Sequence, residues 1–80
     1  MDDSQVQDHI EQLVAEEHRL LAGGGPDGLS PADHERLAAV RVELDRYWDL
    51  LRRRRSEANA GGNPDAVELR DEGTVENYLQ

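Results

Sequence analysis

The stretch from Ser30 to Arg55, SPADHERLAAVRVELDRYWDLLRRRR, decides the fold. Ser30 suits an N-cap, Pro31 the first helical position, and Asp33 the place of a capping-box acid. No helix breaker follows until Gly61-Gly62. Leu37, Val40, Leu44, Tyr47 and Leu51 recur at alternating spacings of three and four, with Trp48 beside them. That pattern is the narrow apolar seam of a coiled-coil-like helix over residues 31–60.

A second helix lies upstream. Residues 3–22 carry Val6, Ile10, Leu13, Val14, Leu20 and Leu21 at helical spacings. Asp3 or Ser4 is the expected cap. Gly23-Gly24-Gly25-Pro26-Asp27-Gly28 then stops the helix and turns the chain. A turn over 23–30 between two apolar stripes implies an antiparallel pair. The expected fold class is therefore all-α, a two-helix hairpin over residues 3–60. Folding about residue 26 sets Leu13 near Leu37 and Val40, Ile10 near Leu44 and Val6 near Trp48. Helix 2 would then overhang by about two turns, from Arg52 to Ala60. The expected hairpin core is Val6, Ile10, Leu13, Leu37, Val40, Leu44, Tyr47, Trp48 and Leu51. Such a hairpin is marginal alone, and Val42 and Leu50, off the main stripe, are placed for a second contact. Self-association, a dimeric four-helix bundle in the simplest case, is expected.

Residues 61–80 read as a linker and tail. Gly61-Gly62-Asn63-Pro64-Asp65 separates the hairpin from a segment with few apolar groups. Val67 and Leu69 alternate as in an extended segment, and Thr74 can cap a last turn bearing Val75, Tyr78 and Leu79. The sequence allows either a tail without fixed structure or an arm docked in a helix groove.

Composition limits the functions available. Eighteen acidic side chains face nine basic ones, all arginine, for a net charge of −9. That balance argues against general affinity for nucleic acid or anionic membrane. Residues 31–60 alone are basic, with seven arginines against six acids. Cysteine is absent, so disulfides and thiolate metal sites are excluded. Met1-Asp2-Asp3 does not begin a signal peptide, and no apolar run is long enough to span a membrane. A cytoplasmic protein is expected.

Chemistry has few places to reside. His18 and His34 fall near the turn with Glu16, Glu17 and Asp33, a set that can be read as a metal or small-ligand site. The Glu-x-x-His and His-x-x-x-His spacings of bundle metal centres are missing. Polar side chains flanking the hairpin end are the simpler reading. Glu17 sits within the apolar stripe, so it should pair, and Arg41 or His34 across the hairpin can serve. The run Arg52-Arg53-Arg54-Arg55 suggests phosphate contacts and a nucleic-acid-associated factor. The competing reading sets these cations against their own helix dipole and against acids of the tail or helix 1. The turn lacks the ligands of a calcium loop, with glycines at its first and third positions and His34 at its last. No nucleophile, phosphate loop or acid–base constellation is present, so an enzyme is not expected, nor is a cofactor.

Three motifs carry a resemblance over nearly the whole chain. They are His9-Ile10-Glu11 with Leu13-Val14 and Glu16-Glu17-His18, then Tyr47-Trp48-Asp49-Leu50-Leu51 followed by Arg52 to Arg55, then Thr74 to Gln80. Together they resemble a family of short actinobacterial proteins classed as a domain of unknown function. The resemblance implies a cytosolic actinobacterial protein and supplies no activity. A comparison with the prokaryotic ubiquitin-like modifier, also small and acidic, fails because Tyr78-Leu79 stand before Gln80 where Gly-Gly would be required.

The expected function is a non-catalytic helical module for protein–protein interaction. Its contact candidates are Arg52, Arg53, Arg54, Arg55, Val75, Tyr78 and Leu79, and its partners a second copy and an unidentified protein.

Overall fold

The structure is a computed structural model and describes residues 1–24 and 28–71. Helix α1 runs Asp3–Ala22 and helix α2 runs Pro31–Asn59, and a short 3-10 turn follows at Pro64–Ala66. The described residues contain no strand. The expected all-α hairpin is thus what the chain forms.

The helix boundaries follow from local chemistry. Asp2 caps α1, one residue before the expected Asp3 or Ser4. Its carboxylate accepts from the Gln5 amide at 2.8 Å, while Gln5 Oε1 accepts from the Asp2 amide at 2.9 Å. A glutamine three residues after an aspartate completes this reciprocal box. Ser30 caps α2 as expected, its Oγ accepting from the Asp33 amide at 3.1 Å, with Pro31 in the first turn. At the far end Gly61 adopts φ +81°. Its amide donates to Ala58 and the Gly62 amide to Glu57, a Schellman closure that only glycine enters without strain. The chain therefore reverses sharply at Gly61-Gly62 and returns along α2.

The register differs from the expectation by about one helical turn. Asp3 pairs with Arg54, Glu17 with Arg41, and the rings of His9 and Tyr47 stack at 4.3 Å. These pairs set Val6 level with Leu50 and Leu51, not with Trp48. Arg54 is thus level with the start of α1, and only the residues beyond it overhang.

Two helices make one layer, and the molecule is 14 Å thick in its shortest dimension. Its core lies along the seam: Val6, Ile10, Leu13, Val40, Leu44, Tyr47, Leu50 and Leu51 form one buried cluster, and Leu37 is also buried. Two expectations are overturned here. Trp48, expected in the seam, is 45 % exposed, whereas Leu50, expected at an outer contact, is 3 % exposed. Positions 48 and 50 are two residues apart, so they flank the seam on nearly opposite sides of α2. The returning arm decides between them. Val67 and Leu69 pack against the cluster. Arg46 and Arg53, on the Leu50 flank, hold the arm by donating to the Arg70 and Glu68 carbonyls.

Of the two arrangements open for the tail, residues 64–70 adopt the docked arm. Thr74, Val75, Tyr78 and Leu79 lie outside the described residues.

Leu51→Ala should cost about 2–5 kcal/mol, enough to unfold a small hairpin, because it empties a site fully surrounded by packed atoms. Trp48→Ala should cost less than about 1 kcal/mol. Urea titrations followed by far-UV circular dichroism compare the two. Comparable losses would contradict the assignment of Leu51 to the interior and Trp48 to the surface.

Candidate functional site

The arginine run is where the sequence places most functional promise, and its four members have different fates. They occupy successive positions on α2, so each points about 100° from the last. Arg54 turns inward and is 4 % exposed. Its Nε donates to Asp3 at 2.8 Å, its Nη1 to the Pro64 carbonyl at 2.9 Å and its Nη2 to Asp65 at 3.0 Å. Those bonds, that with Asp3 foremost, hold its guanidinium further above its ordinary pKa. Arg53 is half-buried, donating to Asp49 at 3.0 Å and to the Glu68 carbonyl at 2.7 Å. Arg52 and Arg55 are exposed.

Two of the four arginines among the contact candidates are therefore spent inside the molecule. The contacts of Arg54 with Asp3 of helix 1 and Asp65 of the tail are those of the competing reading, whereas the acid that Arg53 meets, Asp49, is on its own helix. Its dipole component does not apply. Helix α2 continues to Asn59 and has no basic residue in its last turn, where alone that effect is strong.

Asp49 is the carboxylate on which the arm converges. It is 4 % exposed, its Oδ2 accepting from Arg53 while its Oδ1 lies 3.6 Å from Arg70 Nη1. Sequence reasoning passed over it, because an acid in a WDLL context reads as a surface residue. The signal available was its position four residues before Arg53, a spacing that brings opposite charges together on a helix. Asp3, Asp65 and Arg70 were missed too, since their partners are distant along the chain.

At the other end of the hairpin, Glu17 pairs with Arg41 at 3.1 Å, one of its two anticipated partners. Arg36 grips Glu16 with both Nε and Nη2, the latter at 2.7 Å. That double hydrogen bond holds the Glu16 carboxyl below its ordinary pKa. His18 and His34 are exposed, and among the described residues no group of three histidines, cysteines or acids is placed to hold a metal ion. Val75, Tyr78 and Leu79, the remaining contact candidates, are beyond the described residues.

These features can be set beside known proteins. The model of a family described as a protein of unknown function, DUF2630, matches residues 2–80. The chain belongs to this family. Uncharacterized proteins of Mycobacterium bovis and of Mycobacterium tuberculosis strains CDC 1551 and H37Rv are each 40 % identical to it over 77 residues, covering 95 % of this chain and 88 % of theirs. No solved structure matches. The resemblance drawn from the three motifs is thus to the right family. No described helix is long and apolar enough to cross a membrane.

Two outcomes follow from the charge geometry. Asp49→Asn leaves Arg53 and Arg70 facing each other without a carboxylate, so the arm should open more readily, by about 1–2 kcal/mol after allowance for solvent screening. Amide exchange over residues 66–70 should quicken while the centres of α1 and α2 keep their protection. Unchanged exchange of the arm would remove Asp49 from this role. Because its folded-state pKa is lowered, ionised Glu16 stabilises the protein above the ordinary carboxylate range, and this is lost as pH falls through the lowered value. Thermal midpoints of the wild type and Glu16→Gln should differ at neutral pH and converge as pH falls below the ordinary carboxylate range. A constant gap would exclude the linkage.

Proposed function

We propose that this DUF2630 protein is a non-catalytic helical interaction module that pairs with a second copy of itself through the flank of the hairpin bearing Trp48. One observation carries the reading: the chain's single tryptophan is 45 % exposed on the side opposite the docked arm. A large indole left in water is a poor use of apolar area, and tryptophan is enriched at the energetic centres of protein interfaces. The arm covers the Leu50 flank, and the Trp48 flank has no equivalent cover among the described residues. A one-layer hairpin gains a second layer by pairing, which is the geometry of a dimeric four-helix bundle.

The surroundings of Trp48 suit a self-complementary contact. Arg52 and Asp45 lie beside it on α2 and supply both signs of charge at the rim of the indole. In a two-fold interface each charge can meet its opposite on the other copy.

Light scattering on the pure protein should give twice the 9.0 kDa chain mass, and Trp48→Ala should give the monomer with its helicity kept. Tryptophan emission of the wild type should shift to the blue as concentration rises. A wild-type monomer at about 100 μM, well above the dissociation constant of a micromolar complex, would end the proposal. So would an unaltered mass for Trp48→Ala.

A further inference from the structure

Where the arm crosses the end of the arginine run, a surface cavity of about 280 Å³ is lined by Asp49, Arg52, Arg53, Ser56 and Arg70. Three guanidiniums thus meet around one carboxylate in a chain whose net charge is −9. We propose that this cavity is a binding site for a single tetrahedral oxyanion, of the phosphate class, and that the bound anion fastens the arm to α2.

The donor count supports this. Asp49 is already engaged, its Oδ2 with Arg53 Nε at 3.0 Å and its Oδ1 facing Arg70 Nη1 at 3.6 Å. It cancels one of the three positive charges and leaves two. Arg53 uses Nε and Nη2 internally, so its Nη1 remains. Among the described residues, Arg52 makes no ion pair, and the Ser56 hydroxyl makes no hydrogen bond. Arg52 and Arg53 stand four and three residues before Ser56, so all three share one face of α2. Arg70 reaches the same cavity from the arm.

Guanidinium forks match the multiple acceptor oxygens of a phosphate, which a chloride ion cannot satisfy. The cavity is several times the roughly 30 Å³ of one water molecule, enough for one phosphate group with its remaining hydration. Among the described residues its lining has no aromatic platform on which bases could stack, which favours a discrete anion over a nucleic-acid strand. Arg70 belongs to the arm and the other donors to α2, so the complete donor set exists only when the arm is docked. A ligand that needs the docked state shifts the balance toward it by mass action. Without the anion, Arg70 faces Arg52 and Arg53 with only Asp49 between them, and like charge loosens the arm. The site borders the Trp48 flank at Arg52 but does not use Trp48, so Trp48→Ala leaves its donor set intact.

The test is a nuclear magnetic resonance titration of the full chain with inorganic phosphate, with sodium chloride at matched ionic strength as control. Saturable 1:1 shifts of the Arg52, Arg53 and Arg70 side-chain N–H signals and of the Ser56 amide are expected, with slower amide exchange over residues 66–70. Arg52→Gln and Arg70→Gln should each weaken binding about tenfold, the effect of losing one charge-assisted contact. Arg55→Gln, adjacent in sequence but outside the cavity, should leave it unchanged. A parallel titration with adenosine monophosphate separates the two sources of the chemistry. Tighter binding than phosphate assigns the site to a phosphate monoester, and weaker binding assigns it to the free ion. Shifts that fail to saturate, or that chloride reproduces, would overturn the proposal. An equal loss for Arg55→Gln would do the same, since it would mean a diffuse charged helix. Binding of an oligonucleotide that strengthens with its length would also replace the cavity with a polyanion surface.

Discussion

Arg54 joins three parts of the chain that are distant from one another in sequence. Its Nε reaches Asp3 at the start of α1, its Nη1 the Pro64 carbonyl and its Nη2 Asp65 at the start of the arm, while its own backbone belongs to α2. A guanidinium that is 4 % exposed has given up most of its hydration. It must recover that loss through hydrogen bonds of good geometry or not be buried at all. Three donors aimed in three fixed directions therefore constrain where α1 begins and where the arm starts its return. The register of the hairpin, the burial of Val6 and the course of residues 64–70 are all consistent with that one requirement.

A hairpin by itself cannot enclose a core. Two cylinders in contact bury the line between them and leave both flanks of that line facing water. In this protein each flank of α2 carries one large apolar residue, Leu50 on one and Trp48 on the other. The arm covers a single flank, so one is resolved within the chain and the other is left exposed. Which flank is covered depends on electrostatics as much as on apolar area. Arg46, Asp49 and Arg53 are on the Leu50 side and hold the arm through the Arg70 and Glu68 carbonyls and the Arg70 side chain. The residue that is most distinctive in composition, the lone tryptophan, is thereby turned outward.

Much of this is legible in the sequence. Ser30 and Pro31 marked the start of α2, the glycines at 23–25 and 61–62 bounded both helices, and the recurrence of Leu37, Val40, Leu44 and Leu51 defined the seam. These are short-range effects: a hydroxyl three residues before an amide, a left-handed glycine, a 3.6-residue period. The pairing of Glu17 with Arg41 was also accessible, because a carboxylate in an apolar stripe demands a partner and few cations lay within reach. The arginine run was harder to read. Four consecutive identical residues point in four directions on a helix, and sequence treats them as one patch. Only after the flanks are assigned does it become clear that Arg53 and Arg54 bind the chain to itself while Arg52 and Arg55 face out.

By itself the sequence determined that there would be two helices, where each begins and ends, and that they would fold back on one another. Local hydrogen bonding and periodic hydrophobicity suffice for that. The tertiary structure alone decided the register between the helices, the choice of Leu50 over Trp48 for the interior, and the docking of residues 64–70. Each of those depends on groups such as Asp3 and Arg54, far apart in sequence, whose interaction is worth its desolvation only when both sit at the right distance and angle in space.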